Sequence, residues 1–115
     1  MELPLTITTH DVTLPEAVEA TIREKASKLD KLNGHLIGCR VTVEGPGGHH
    51  RNGGSYRVSI DLSVPGSELV VNHKEAADLP QAIREAFDAA RRRLEEHRDL
   101  QLERRKENRT ESRTV

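Results

Sequence analysis

The stretch YRVSIDLSVPGSELVVN, residues 56–72, decides the fold. Tyr56, Val58, Ile60, Leu62 and Val64 alternate with Arg57, Ser59, Asp61 and Ser63, the period-two pattern of a strand with one buried face. Pro65 and Gly66 then reverse the chain, since proline presets the first central position of a type II turn and glycine accepts the second. Residues 68–72 return as the partner strand. A hairpin with a single apolar face needs another layer of structure to cover it.

Upstream, residues 36–44 alternate in the same way, with Ile37, Cys39, Val41 and Val43 on one side and Arg40, Thr42 and Glu44 on the other. Between this strand and the hairpin lies GPGGHHRNGG, residues 45–54, whose five glycines and lack of an apolar anchor predict a mobile surface loop. At the start of the chain Leu3, Leu5 and Ile7 alternate with Pro4, Thr6 and Thr8, a short first strand whose early proline suits an edge. Thr13 and Pro15 then open a helix over residues 15–32, with Val18, Ile22, Ala26, Leu29 and Leu32 three or four apart and Asn33 and Gly34 ending it. Downstream, residues 79–98 form a second amphipathic helix on a stripe of Ile83, Phe87, Ala90 and Leu94.

The element order is therefore β-α-β-β-β-α. Each strand has one polar face, so a four-stranded sheet with both helices on one side buries every apolar stripe at once, a two-layer α+β fold. The open sheet face is expected to carry Thr6, Thr8, Arg40, Thr42, Arg57, Ser59, Asp61 and Ser63. Residues 1–99 make the domain. After Leu100 the apolar period is lost, and residues 100–115 are expected as a charged tail, either disordered or a helix extension ordered by a partner.

A chain of 115 residues holds one core, and with aromatics at only 2% that core must be aliphatic, giving a small domain of moderate stability. One cysteine, Cys39, excludes an intrachain disulfide and a thiolate zinc cluster, and its place on an apolar strand face predicts a buried, inert thiol. No stretch approaches the apolar length of a membrane span or a secretory leader, so a cytoplasmic protein with no membrane partner is expected. The net charge of −1 conceals a division: residues 91–115 hold nine Lys or Arg against six Asp or Glu, leaving −4 for the remainder. A basic quarter on an acidic body suits limited contact with nucleic acid, and it equally suits a solubilising charged helix.

Enzymatic chemistry finds no foothold in these patterns. His49 and His50 are adjacent, so they diverge on an extended chain, and neither cysteines nor paired carboxylates accompany them; no metal or other cofactor is expected. The glycine-rich loop lacks the Gly-Lys-Ser/Thr ending of a phosphate loop and leads into a strand. No Gly-x-Ser-x-Gly turn occurs, and Asp61 has no carboxylate at catalytic spacing. No catalytic residue is expected.

The basic residues follow the helix period. Lys25 and Lys28 lie along one margin of the first helix's apolar stripe, Lys31 continues that side, and Arg23 takes the other. In the last helix Arg84, Arg91 and Arg98 recur every seven residues on one flank, Arg92 faces outward, and Arg93 with His97 takes the opposite flank. Glu85, Glu95 and Glu96 interrupt this surface, so helix ion pairs are an alternative to RNA contact.

Taken together, TLPEAVEATIREKASKLDKL (13–32), the hairpin of residues 56–72 and AIREAFDAARRRLEEH (82–97) resemble the ribosome hibernation-promoting factors, also called ribosome-associated inhibitor or subunit-interface proteins. The resemblance covers residues 3–98. It implies a fold similar to double-stranded-RNA-binding domains and binding to the small ribosomal subunit, through rRNA and ribosomal proteins, in the channel used by mRNA and tRNA. Such binding inhibits translation and stabilises idle ribosomes, a stress response. The family's basic positions match Lys25, Lys28 and Arg92, with Lys31 similar, and His97 and Arg98 match a basic end seen in some members. Ala89 and Glu96 stand where lysine is usual, which shifts the expected phosphate-contacting surface toward Arg84, Arg91 and Arg93. LNGHL (32–36) and Pro80 stand where aromatics are usual. The chain resembles short members, without a separate C-terminal dimerisation domain, and a monomer is the expected state. The alternative function is a protein-interaction module that uses the exposed sheet face or an edge strand.

Overall fold

The computed structural model describes residues 4–33, 36–46 and 54–113, with the side chains of Asn33, His73 and 105–113 left aside. The elements are β1 (Leu5–His10), α1 (Glu16–Asn33), β2 (Gly38–Glu44), β3 (Tyr56–Val64), β4 (Ser67–Ala76) and α2 (Leu79–Arg113). They form a four-stranded sheet in the order β1-β2-β3-β4, with β1 parallel to β2 and the other neighbours antiparallel. The α+β architecture expected from the sequence is the one observed.

The hairpin behaves as its turn chemistry requires. Gly66 has φ 75°, the left-handed value that the second central position of a type II turn demands. Gly45 answers a different need. Its N–H donates to the His10 carbonyl at 2.8 Å, closing the end of the β1–β2 pair, and a Cβ there would strike the Asp11 carbonyl oxygen and lie 2.7 Å from Val12 Cβ. Asp11 itself turns at φ 55°, so backbone and side chain are crowded where β1 leaves the sheet.

Both helices begin with recognisable caps. The Pro15 carbonyl accepts from the N–H groups of Val18 and Glu19, and Glu16 and Glu19 place negative charge in the first turn of α1 while Lys31 sits in the last. The Asp78 carbonyl accepts from Ala82 at 3.0 Å, and Pro80 occupies the first turn of α2, where no intrahelical donor is needed.

One apolar core lies between the sheet and the helices. The strands contribute Cys39, Val41, Val43, Val58, Ile60, Leu62, Val64, Leu69 and Val71; α1 contributes Ile22, Ala26 and Leu29; α2 contributes Ala82, Ile83, Ala86, Phe87, Ala90 and Leu94. No polar or charged residue is buried among the described residues. Phe87 is the one aromatic in this set, as an aliphatic composition requires.

Four boundaries differ from expectation. Ile37, placed on the buried side of a strand by its alternation, precedes β2 and is 57% exposed, although its N–H still reaches the Ser63 carbonyl at 2.8 Å. β4 runs on to Ala76 because an irregularity opposite Val58 and Ile60 absorbs an extra residue and lets pairing resume at Lys74. Leu32, assigned to the apolar stripe of α1, is 40% exposed near the helix end. The last helix extends to Arg113, past the expected end at residue 98. Leu3, Gly34, His35 and most of the glycine-rich loop lie outside the described residues.

Candidate nucleic-acid interface

The helix layer places the candidate cations according to how each helix rolls its apolar stripe onto the sheet. On α1, Lys25 is half-buried beside that stripe, whereas Lys28 and Lys31 are exposed. The ammonium of Lys28 lies 3.4 Å from Glu24 Oε1, an exposed i,i+4 pair. α1 carries as many acids as bases, and Lys25 and Lys28 line one margin while Glu19, Arg23 and Asp30 line the other. Local arrangement, not net charge, creates the basic surface.

On α2, Arg84, Arg91, Arg92 and Arg98 are exposed, and Arg93 and His97 are half-buried. Arg91 Nε lies 3.9 Å from Glu95 Oε1, at the limit of an ion pair and well exposed. Lys25, Lys31, Arg84, Arg92, Arg93 and Arg98 have no carboxylate partner among the described residues, and Lys31, Arg84, Arg92 and Arg98 are also exposed. Ala89, where the resembled family carries a basic residue, is partly buried against the core. His97 stands on the line of the buried stripe one turn beyond Leu94, closer to the helix's core-facing side than its expected place on a flank.

The opposite side of the molecule has another chemistry. Cross-strand register aligns Thr6, Arg40, Asp61 and Val70 in one row, Thr8, Thr42 and Ser59 in the next, and His10, Glu44, Arg57 and Glu75 in a third. In that third row Arg57 Nε meets Glu75 Oε1 at 2.7 Å. The charged rows alternate in sign and hydroxyls fill the middle row, so this face offers no continuous cationic track. Val70, 58% exposed, is a departure from the polar pattern that strand alternation did not reveal.

Burial, helped by the nearby Asp61 carboxylate, pushes the Cys39 thiol up to about 12, which makes it an inert packing group. No group of three or more His, Cys, Asp or Glu side chains is arranged to hold a metal among the described residues. His49 and His50 lie outside them. No helix among the described residues is long and apolar enough to cross a membrane.

Fold and surface thus define a small, two-layer α+β domain whose helix margins carry accessible cations and whose sheet face carries charges of both signs. The chain belongs to the family described as Sigma 54 modulation protein / S30EA ribosomal protein, whose pattern matches residues 5–102. This is a family of ribosome-associated factors and not of enzymes. A ribosome hibernation promotion factor from Deinococcus radiodurans is 29% identical over 105 residues, covering 89% of this chain and 52% of that protein. The chain therefore spans about half the length of this curated relative. A ribosomal subunit interface protein from Coxiella burnetii superposes with a TM-score of 0.72 at 12% identity, over 84% of this chain and 99% of the other. The N-terminal domain of Protein Y from Thermus thermophilus superposes with a TM-score of 0.65 at 22% identity, again over 84% and 99%. These two likenesses carry the fold.

Proposed function

We propose that the chain is a translation inhibitor that binds the small ribosomal subunit in the mRNA and tRNA channel and stabilises idle ribosomes. The family match over residues 5–102, which includes both cation-bearing helices, carries this reading. Physically the action is competition for a site. Cations at fixed spacing neutralise rRNA phosphates, and the shape of the rigid two-layer body sets where the domain stops. The surface contributing to it is Lys25, Lys28 and Lys31 on α1 with Arg84, Arg91, Arg92, Arg93, His97 and Arg98 on α2. Residues 1–99 act as the binding domain, and the protein works as a monomer in the cytoplasm.

Replacing Lys25, Lys28 and Arg92 together with Glu tests the assignment. Co-sedimentation with purified small subunits should be lost while the circular dichroism spectrum is retained; undiminished co-sedimentation would refute it. Salt provides a second measure, because each neutralised phosphate contributes about −0.7 to −0.9 to the slope of log affinity against log salt, so about four contacts give a slope near −3. A flat slope favours the second reading, a protein-interaction module, for which the exposed Val70 on the open sheet face is the specific observation. A pull-down that survives nuclease treatment would establish that alternative.

A further inference from the structure

We infer that the helix layer carries two separate phosphate-binding rails on opposite outer sides, Lys25 with Lys28 on one and Arg84, Arg91 and Arg98 on the other, so that the chain bridges two RNA backbone segments. The inference deepens the ribosome-binding reading and rests on it.

The topology determines which margin of each helix faces its neighbour. α1 joins the parallel neighbours β1 and β2, and such crossovers are right-handed, which fixes the side on which α1 lies relative to the rest of the sheet. α2 follows β4, which runs in the same direction as β1 and β2, and it packs over β3 and β4 and against α1. Both helices therefore return in the same sense, side by side. Advancing about 100° per residue around each axis, the margin of α1 bearing Glu19 and Asp30 turns toward α2, and the margin bearing Lys25 and Lys28 turns away. On α2 the margin of Ala82, Ala86, Ala89 and Arg93 turns toward α1, and Arg84, Arg91 and Arg98 turn away.

Burial supports the same arrangement independently. Ala82 and Ala86 are 0% exposed, and Ala89 and Arg93 are half-buried, as expected of a seam in which small side chains let two helices approach. Arg84, Arg91 and Arg98 are exposed throughout. The strip between the rails is not neutral ground. Glu24 on α1 and Glu85, Glu96 and Asp99 on α2 are exposed and project from the outward faces, against Lys31 and Arg92 on those same faces, so a single phosphate backbone running from one rail to the other would cross a ridge on which carboxylates outnumber cations. Helix axes about 10 Å apart, each with an outer radius of roughly 5–6 Å, put the rails about 20 Å from one another. Two backbone segments flanking the domain satisfy both rails without meeting the ridge.

The test uses the full chain bound to purified small subunits, with a hydroxyl-radical-generating iron chelate tethered to a single introduced thiol. Thr21→Cys lies on the Lys25 and Lys28 side and Leu102→Cys lies one turn beyond Arg98, so neither substitution removes a rail residue. The unsubstituted chain is the control, since the buried Cys39 should take no label. Two sets of cleaved rRNA nucleotides without overlap are expected. Overlapping sets, or cuts from one position only, with co-sedimentation retained, overturn the bridge and leave the ribosome-binding reading standing. Absence of co-sedimentation by the unsubstituted chain overturns both.

Discussion

Residues 79–94 and residues 95–113 belong to one uninterrupted helix, yet they are held by different forces. In the first part Ala82, Ile83, Ala86, Phe87, Ala90 and Leu94 are each no more than 5% exposed, and the helix is fixed by packing against β3, β4 and α1. Beyond Leu94 no described side chain is buried. The stripe passes to the half-buried His97 and Gln101 and then to Arg104, while Leu100 and Leu102 are 52% and 44% exposed on different sides of the helix. Such a segment relies on intrinsic propensity, to which its Glu, Arg, Leu and Gln residues contribute, and not on a tertiary face. It also sets the molecule's outline: a 35-residue helix spans about 52 Å, against principal extents of 66, 29 and 18 Å. The difference teaches that helix length and domain length are separate quantities in this chain.

The sharpest way to break that comparison is to remove one leucine from each part. Leu94→Ala deletes a side chain that is 1% exposed in a close-packed core and should cost about 2–5 kcal/mol in urea denaturation. Leu102→Ala, at 44% exposure, should change stability by less than about 0.5 kcal/mol. Equal losses would mean that the distal helix is packed against something as the proximal part is.

A truncation carries the same contrast further. A chain ending at residue 100 removes distal helix that contributes no described side chain to the core, so the unfolding free energy should stay within about 0.5 kcal/mol of the full chain. Helical ellipticity should fall in proportion to the residues lost. A several-fold larger loss of stability would show that the distal segment supports the body, and that the binding domain does not end near residue 99.

Much of this architecture was legible in the sequence because period and burial coincide. Val41, Val43, Val58, Ile60 and Leu62, picked out by alternation, are all 0% exposed, and Ile83, Phe87, Ala90 and Leu94 form the predicted stripe of α2. Pro65 and Gly66 announced their turn through allowed backbone angles alone. What was hidden required long-range information. Ile37 continues the alternation of β2 but precedes the strand and is exposed, so pattern alone misplaced it. The end of α2 was obscured because the distal residues lack an apolar period, which says that they cannot pack and does not say that they cannot be helical. For the basic residues, the wheel separated Arg91, Arg92 and Arg93 in direction. Which margin faces the neighbouring helix depends on strand order and crossover sense, and neither is written in any local segment.

The Arg91–Glu95 pair sits at the join between the two parts of α2, and it offers the smallest structural effect with a useful functional reading. At 3.9 Å, with both side chains more than half exposed, it should contribute no more than a few tenths of a kcal/mol, so Glu95→Gln should leave the denaturation midpoint nearly unchanged. The substitution also removes a carboxylate next to the arginine rail and leaves the Arg91 guanidinium without its anionic competitor. If Arg91 meets a phosphate, affinity for the small subunit should rise and the salt slope should steepen by up to about 0.9. An altered midpoint with an unaltered slope would assign Arg91 to holding the helix together across the join and would take it out of the RNA-facing rail, leaving Arg84 and Arg98 to carry that side.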